Sequence, residues 1–154
     1  MQGLELSPDL RSSALRGIAL ECAGDGTSVD VAKAVAGRTT VLNLWASSCA
    51  PCREELPALQ RFADRAGGSV LVLGVITGDT RAAAGETARD LGVRFPAVFD
   101  DSQTVLRAIG RMALPATLFV DASGRVAYVY QSGVPLDEAS VAALIREHLG
   151  VTVP

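Results

Sequence analysis

The run "TTVLNLWA", Thr39 to Ala46, constrains the fold more than any other stretch of this chain. It is nearly continuous in β-branched and large apolar residues, as a strand covered on both faces must be. A second such run, "SVLVLGVI" (Ser69 to Ile76), follows after a helix-length segment from about Ala50 to Ala66. Two fully buried strands joined by a helix form the core of a parallel sheet with helices on its faces. Thr39 to Ala46 is therefore read as a central strand.

The remaining segments fit that plan. "LRGIALEC" (Leu15 to Cys22) alternates like a strand, "AGDG" turns, and "VDVAKAVAG" gives a short helix closed by Gly37. "TRAAAGETARDLG" reads as a helix, "FPAVFD" as a short strand and "SQTVLRAIG" as a helix. "ATLFVDASGRVAYVYQ" gives two strands joined by a turn at Ala122 to Gly124, and "LDEASVAALIREHLG" closes the chain as a helix between Asp137 or Glu138 and Gly150. The expected fold is one α/β domain of three layers with a mixed central sheet, over residues 13–150. Residues 1–12 are expected to be frayed and 151–154 to form a tail. Phe95, Phe99, Phe119, Tyr128 and Tyr130 fall on the strands and are expected to pack there.

With 154 residues, 49% of them hydrophobic, such a domain folds without disulfide staples. The 14 basic and 17 acidic residues are scattered, giving a net charge of -3 and no basic stripe. Nucleic acid is not an expected partner. No apolar run approaches the roughly 20 residues that span a bilayer, and "MQGLELSPDLRSS" lacks the apolar core of a signal peptide. The chain reads as a soluble domain and a monomer.

Cys49 and Cys52 form a C-x-x-C at the C-terminal end of the central strand, where an α/β domain gathers its reactive groups. They also open a helix, whose unpaired N–H groups and positive end favour a thiolate. Cys49, nearer the tip, is the predicted nucleophile, with its pKa below the free value. Cys52, one turn in, is expected to be less exposed and to resolve a mixed disulfide by attacking Cys49. Pro51 suits the first helical turn, whereas Pro57 is expected to kink the helix. A zinc site needs about four ligands, and of the usual soft ligands only Cys22 and His148 remain. No metal or organic cofactor is expected.

One charge is out of pattern. At about 100° per residue from Cys52, Leu56, Leu59, Phe62, Ala63 and Ala66 fall in one arc, and Glu55 falls inside it. A carboxylate buried there has a raised pKa and can exchange protons with a thiol near neutral pH; one that reaches solvent instead only favours the helix dipole. Asn43 interrupts the central strand on the face of Trp45, opposite Leu42 and Leu44, and must find hydrogen-bond partners if buried. Cys22 reads as a buried, inert thiol, with an intermolecular disulfide or a regulatory thiol as the alternatives, and His148 as a cation at a helix C-terminus.

These residues resemble the thioredoxin superfamily, most closely the extracytoplasmic proteins of the TlpA and ResA type. The likeness covers roughly Leu15 to Leu149. Its strongest stretch is "VLNLWASSCAPCREELPAL", in which Trp45, Cys49, Pro51, Cys52, Glu55 and Pro57 match the family pattern without gaps, and Asn43 stands where cytosolic thioredoxins carry a buried aspartate. "RMALPATLFVDASGRV" resembles the loop and strand that carry the family's cis-proline, which implies that role for Pro115 and substrate-backbone pairing for Leu114. "TGDTRAAAGETARDLGVRFPAVFD" is similar to the helix and strand inserted in these members. Ser48 replaces the usual aromatic beside the pair, and Met112 and Ala113 stand where a glycine often precedes the cis-proline.

The resemblance implies a thioredoxin-like sandwich with a helix-strand insertion and an N-terminal strand extension. It implies a thiol:disulfide oxidoreductase acting on protein substrates outside the cytoplasm, anchored by a segment this chain does not include. Cys49, Cys52 and Glu55 would carry the chemistry, Trp45, Ser48, Ala50, Pro51, Leu114 and Pro115 would meet the substrate, and Asn43 would support the site. The direction implied is reduction, of the cytochrome c maturation type, with electrons from a membrane or soluble thiol partner. The rivals are an oxidant that forms disulfides in secreted proteins, and a binding or chaperone module with a structural disulfide. A thiol peroxidase would need a threonine three places before Cys49, where Ala46 stands.

Overall fold

The computed structural model describes residues 8–110 and 113–154. Met112 and residues 1–7 lie outside them. A seven-stranded mixed sheet runs through the domain in the order β2-β1-β5-β4-β3-β6-β7. Its centre is parallel: β3 (Thr40–Trp45) pairs with β4 (Leu71–Thr77), and β4 with β5 (Ala97–Asp100). On one side β6 (Ala116–Val120) and β7 (Val126–Tyr130) add antiparallel to β3, and on the other β1 (Ala19–Cys22) and β2 (Ser28–Asp30) add antiparallel to β5.

All six residues of β3 are buried, because helices cover both of its faces. Leu42 and Leu44 point into one core with Leu73, Val75, Val105 and Leu118. That core lies against α2 (Val31–Val35) and α5 (Thr104–Ala108). Val41 and Trp45 point into the other, with residues of α3 (Ala50–Ala66), α4 (Arg81–Leu91) and α6 (Glu138–Leu149). The architecture is the three-layer thioredoxin-like sandwich. The insertion, α4 and β5, sits inside the sheet order, between β4 and the N-terminal hairpin.

Three local readings are corrected. The first strand begins at Ala19, not Leu15, because a helix α1 (Pro8–Ser13) precedes it and residues 14–17 turn at Gly17, with φ of 75°. That helix also occupies part of the start expected to be frayed. Ser28–Asp30, of which Val29 and Asp30 were expected to open a helix, is instead an edge strand on β1, and the Asp30 side chain caps α2 by accepting from the Lys33 N–H at 3.2 Å. The helix expected from Ser102 to Gly110 is limited to α5, where the Asp100 carboxylate accepts from the N–H groups of Thr104 and Val105, each at 2.9 Å. Pro57 lies inside α3, as expected.

Candidate active site

The site forms where β3 ends. Four residues after Trp45, Cys49 takes the N-cap position of α3, with extended backbone, and its Sγ accepts from the Cys52 N–H at 3.3 Å. Pro51 lies in the first turn, where an N–H has no intrahelical partner to lose. Cys49 and Cys52 are disulfide-bonded, with Cα atoms 5.2 Å apart. The two differ in access. Cys49 is half-buried between exposed Ser48 and exposed Ala50, whereas Cys52 is fully buried.

The loop before Cys49 is held by a residue that the sequence did not bring forward. Asp79, between β4 and α4, accepts from the Ser47 N–H at 2.7 Å, the Ser47 hydroxyl at 3.0 Å and the Thr80 N–H at 2.7 Å. The Ser47 carbonyl in turn accepts from Nη1 of Arg53 at 2.7 Å. Ser47 is thus fixed from the inserted segment and from α3 together.

One turn into α3, Glu55 has no exposed surface. Its Oε1 accepts from Nδ2 of Asn43 at 2.9 Å and its Oε2 from the Leu136 N–H at 3.0 Å. Asn43 also donates to Oγ1 of Thr117 at 3.0 Å, across the β3–β6 pair in which the two residues are partners. Burial pushes the Glu55 carboxyl above its ordinary pKa, and the bonds from Leu136 and Asn43 offset part of that. The arrangement is a buried carboxylate that two neutral donors hold in place without neutralising.

Leu114 and Pro115 are joined by a cis peptide bond just before β6. The β3–β6 register ends at the pair Leu44 and Ala116, so Pro115 immediately precedes the last paired residue of β6. Pro115 is buried and Leu114 half-buried, and the Ala113 carbonyl accepts from Nε2 of Gln131. Trp45, expected among the substrate contacts, is 1% exposed and lies behind the pair within the core, because β3 is central. Thr117, Leu136 and Asp79 are the members of the site absent from the sequence reading.

Residues 5–145 match the Redoxin family. The chain belongs to that family. It is 30% identical over 94 residues to the thiol-disulfide oxidoreductase ResA of Bacillus subtilis strain 168, an alignment covering 60% of this chain and 52% of that protein. The ResA of Geobacillus thermodenitrificans is 28% identical over 114 residues, covering 73% of this chain and 62% of that one. The chain thus spans about half to three fifths of the length of these relatives. In fold it is similar to a DsbF homologue from Corynebacterium diphtheriae, with TM-score 0.77, 23% identity, and coverage of 96% of this chain and 93% of that one. It is also similar to a secreted Mycobacterium tuberculosis disulfide oxidoreductase homologous to E. coli DsbE, with TM-score 0.75, 18% identity, and coverage of 92% and 99%. The chain is thus a redoxin with the Cys49–Cys52 disulfide at the start of α3.

Proposed function

We propose that this redoxin exchanges the Cys49–Cys52 disulfide with cysteines of protein substrates outside the cytoplasm, acting as the reductant. The observation that carries the reading is the asymmetry of the pair: Cys49 half-buried on the helix N-terminus, Cys52 fully buried one turn behind it. In the reduced protein the Cys49 thiolate attacks a substrate disulfide, forming a mixed disulfide and expelling one substrate thiolate. The Cys52 thiolate then attacks the Cys49 sulfur and expels the second. Two electrons have passed to the substrate, and the pair is left oxidised. A membrane or soluble thiol partner restores it.

Helix geometry sets Cys52 and Glu55 side by side, three residues apart. A carboxyl with a raised pKa is suited to take the Cys52 proton before the resolving attack and to return it afterwards. Leu114 and Pro115 dock the substrate backbone beside exposed Ser48 and Ala50, with Pro51 completing the surface. The small Ser48 leaves room there for a bulky partner. The cysteines of an apocytochrome c are the substrate class that the ResA-type resemblance implies. An extracytoplasmic location is supported by the ResA likeness and by the likeness in fold to a secreted disulfide oxidoreductase. No helix among the described residues is long and apolar enough to cross a membrane.

The test is a redox titration of the pair in defined thiol/disulfide buffers, read by alkylation and mass. A potential near or below about -270 mV marks a reductant, whereas one near about -120 mV marks a disulfide donor and removes the reductant reading. A pair that stays unreactive to alkylation after reduction reassigns the disulfide to a structural role.

A further inference from the structure

The segment that leads into β6 lies outside the sheet ladder. β6 pairs with β3 only from Ala116 on and with β7 only from Thr117 on. Ala113 and Leu114 make no main-chain hydrogen bond among the described residues. A side chain holds them instead: Nε2 of Gln131, the first residue after β7, donates to the Ala113 carbonyl.

That carbonyl and the Leu114 N–H belong to one peptide unit, which is planar and trans, so the two groups point in opposite directions. Gripping the oxygen therefore aims the N–H. It also polarises it, since a peptide unit that accepts a hydrogen bond becomes a stronger donor. The aimed N–H has no partner among the described residues, and Leu114 is half-buried beside the cis bond to Pro115.

Gln131 springs from backbone that is itself tied down. The Tyr130 hydroxyl donates to the Val134 carbonyl at 3.0 Å and accepts from the Ser132 hydroxyl at 2.6 Å. The Val134 N–H donates to Oγ of Ser132 at 3.1 Å. The same connection ends at Leu136, whose N–H is bonded to Glu55. The Gln131 amide is thus an arm from a fixed loop to the segment that carries Leu114.

We propose, on the reading that Leu114 docks the substrate backbone, that Gln131 is the positioning residue for that docking. It fixes the peptide unit of Ala113 and Leu114 so that the Leu114 N–H meets a main-chain carbonyl of the substrate. Its effect falls on substrate binding and not on the exchange step, because the aimed N–H meets the substrate main chain and not the reacting sulfurs.

The test starts from the reduced protein and two oxidants. One is an unstructured peptide whose single cysteine is capped by mercaptoethanol; the other is hydroxyethyl disulfide, which offers no main chain. In each case Cys49 and Cys52 become a disulfide and the oxidant leaves as two thiols, followed by acid quench, alkylation and mass. Gln131→Glu keeps the side-chain length, but its carboxylate cannot donate to the Ala113 carbonyl. It is expected to raise the half-saturating peptide concentration about fivefold, the worth of one net hydrogen bond, without changing the rate at saturation or the rate with hydroxyethyl disulfide. Gln131→Lys, which restores a donor of similar reach, is expected to bring the peptide value back toward wild type. The assignment of Gln131 is overturned, and the reductant reading left standing, by any of three results: a wild-type peptide value in Gln131→Glu, equal slowing with both oxidants, or no recovery in Gln131→Lys. A peptide that oxidises the wild type no faster than hydroxyethyl disulfide overturns the docking role of Leu114 and that of Gln131 with it. A reduced wild type that neither compound oxidises overturns the reductant reading as well.

Discussion

Asn43 and Glu55, twelve residues apart, are joined by a 2.9 Å hydrogen bond from Nδ2 to Oε1 in the buried layer between β3 and α3. The bond binds the strand that delivers the reactive pair to the helix that carries it. It also makes the charge on Glu55 an internal matter, since no water-exposed surface of that side chain remains.

The first prediction concerns stability against pH. The folded pKa of Glu55 is raised above its unfolded value, so the folded state holds that proton more tightly than the unfolded chain does. Stability from this group is fully present below the unfolded pKa and is lost as pH rises through the folded one. Asp121 is shifted the other way by its bonds from Ser123 and Arg125, against the opposing effect of burial, and acts at lower pH. In Glu55→Gln one of the two donors loses its acceptor, costing about 1 kcal/mol at about pH 5. That deficit is expected to shrink toward about pH 8, since the stability this group supplies is lost as pH rises through its raised folded pKa and the variant has no such group. Urea denaturation at the two pH values measures it; a deficit that grows with pH overturns the reading.

Asn43→Asp tests the same pair from the strand. It sets a second carboxyl beside Oε1 of Glu55, where two charges cannot both ionise. The variant is expected to hold a shared proton into the neutral range and to lose about 3–5 kcal/mol once both are forced to ionise. Melting temperatures should therefore diverge from wild type as pH rises. Parallel pH curves would show that the new carboxyl has turned away.

How much of this was legible in the sequence follows from how local each signal was. α3 was read with its observed limits, and helical periodicity put Glu55 in the apolar arc while leaving open whether it reached solvent; the structure buries it. β2 was missed because its three residues, Ser28, Val29 and Asp30, sit on an edge with no apolar run to mark them. The partners of the site lie far off in the chain. Thr117 is 74 residues from Asn43, Leu136 is 81 from Glu55 and Asp79 is 32 from Ser47, and no local pattern records such contacts. Trp45 was placed among the substrate contacts by the family resemblance, but the burial of β3 decides where it lies.

A third prediction follows from the gap at Gly74. In Gly74→Ala the new Cβ meets Trp45, Phe95 and Ala97 at 3.1 to 3.3 Å, and the third of these is itself a Cβ fixed on a neighbouring strand. Overpacking of this kind costs about 1–3 kcal/mol. The indole must shift, so the emission of the single tryptophan should change along with the melting temperature. An unaltered spectrum with full stability would mean the sheet yields more easily than its register suggests.

The last prediction separates holding the active-site loop from holding the fold. Asp79 is the acceptor for both the N–H and the hydroxyl of Ser47, two residues before Cys49. Asp79→Ala leaves those donors without it, at about 1–3 kcal/mol, which in a domain of this size lowers the melting temperature by about 2–4 °C per kcal/mol. If the loop sets the attack geometry of Cys49, exchange with a small disulfide reagent should also slow, by about tenfold, at temperatures where the variant is fully folded. Asp79→Asn, which keeps one carbonyl acceptor, should recover part of that rate. A variant that melts earlier but exchanges at the wild-type rate would confine Asp79 to a role in stability and leave the geometry of Cys49 to α3 alone.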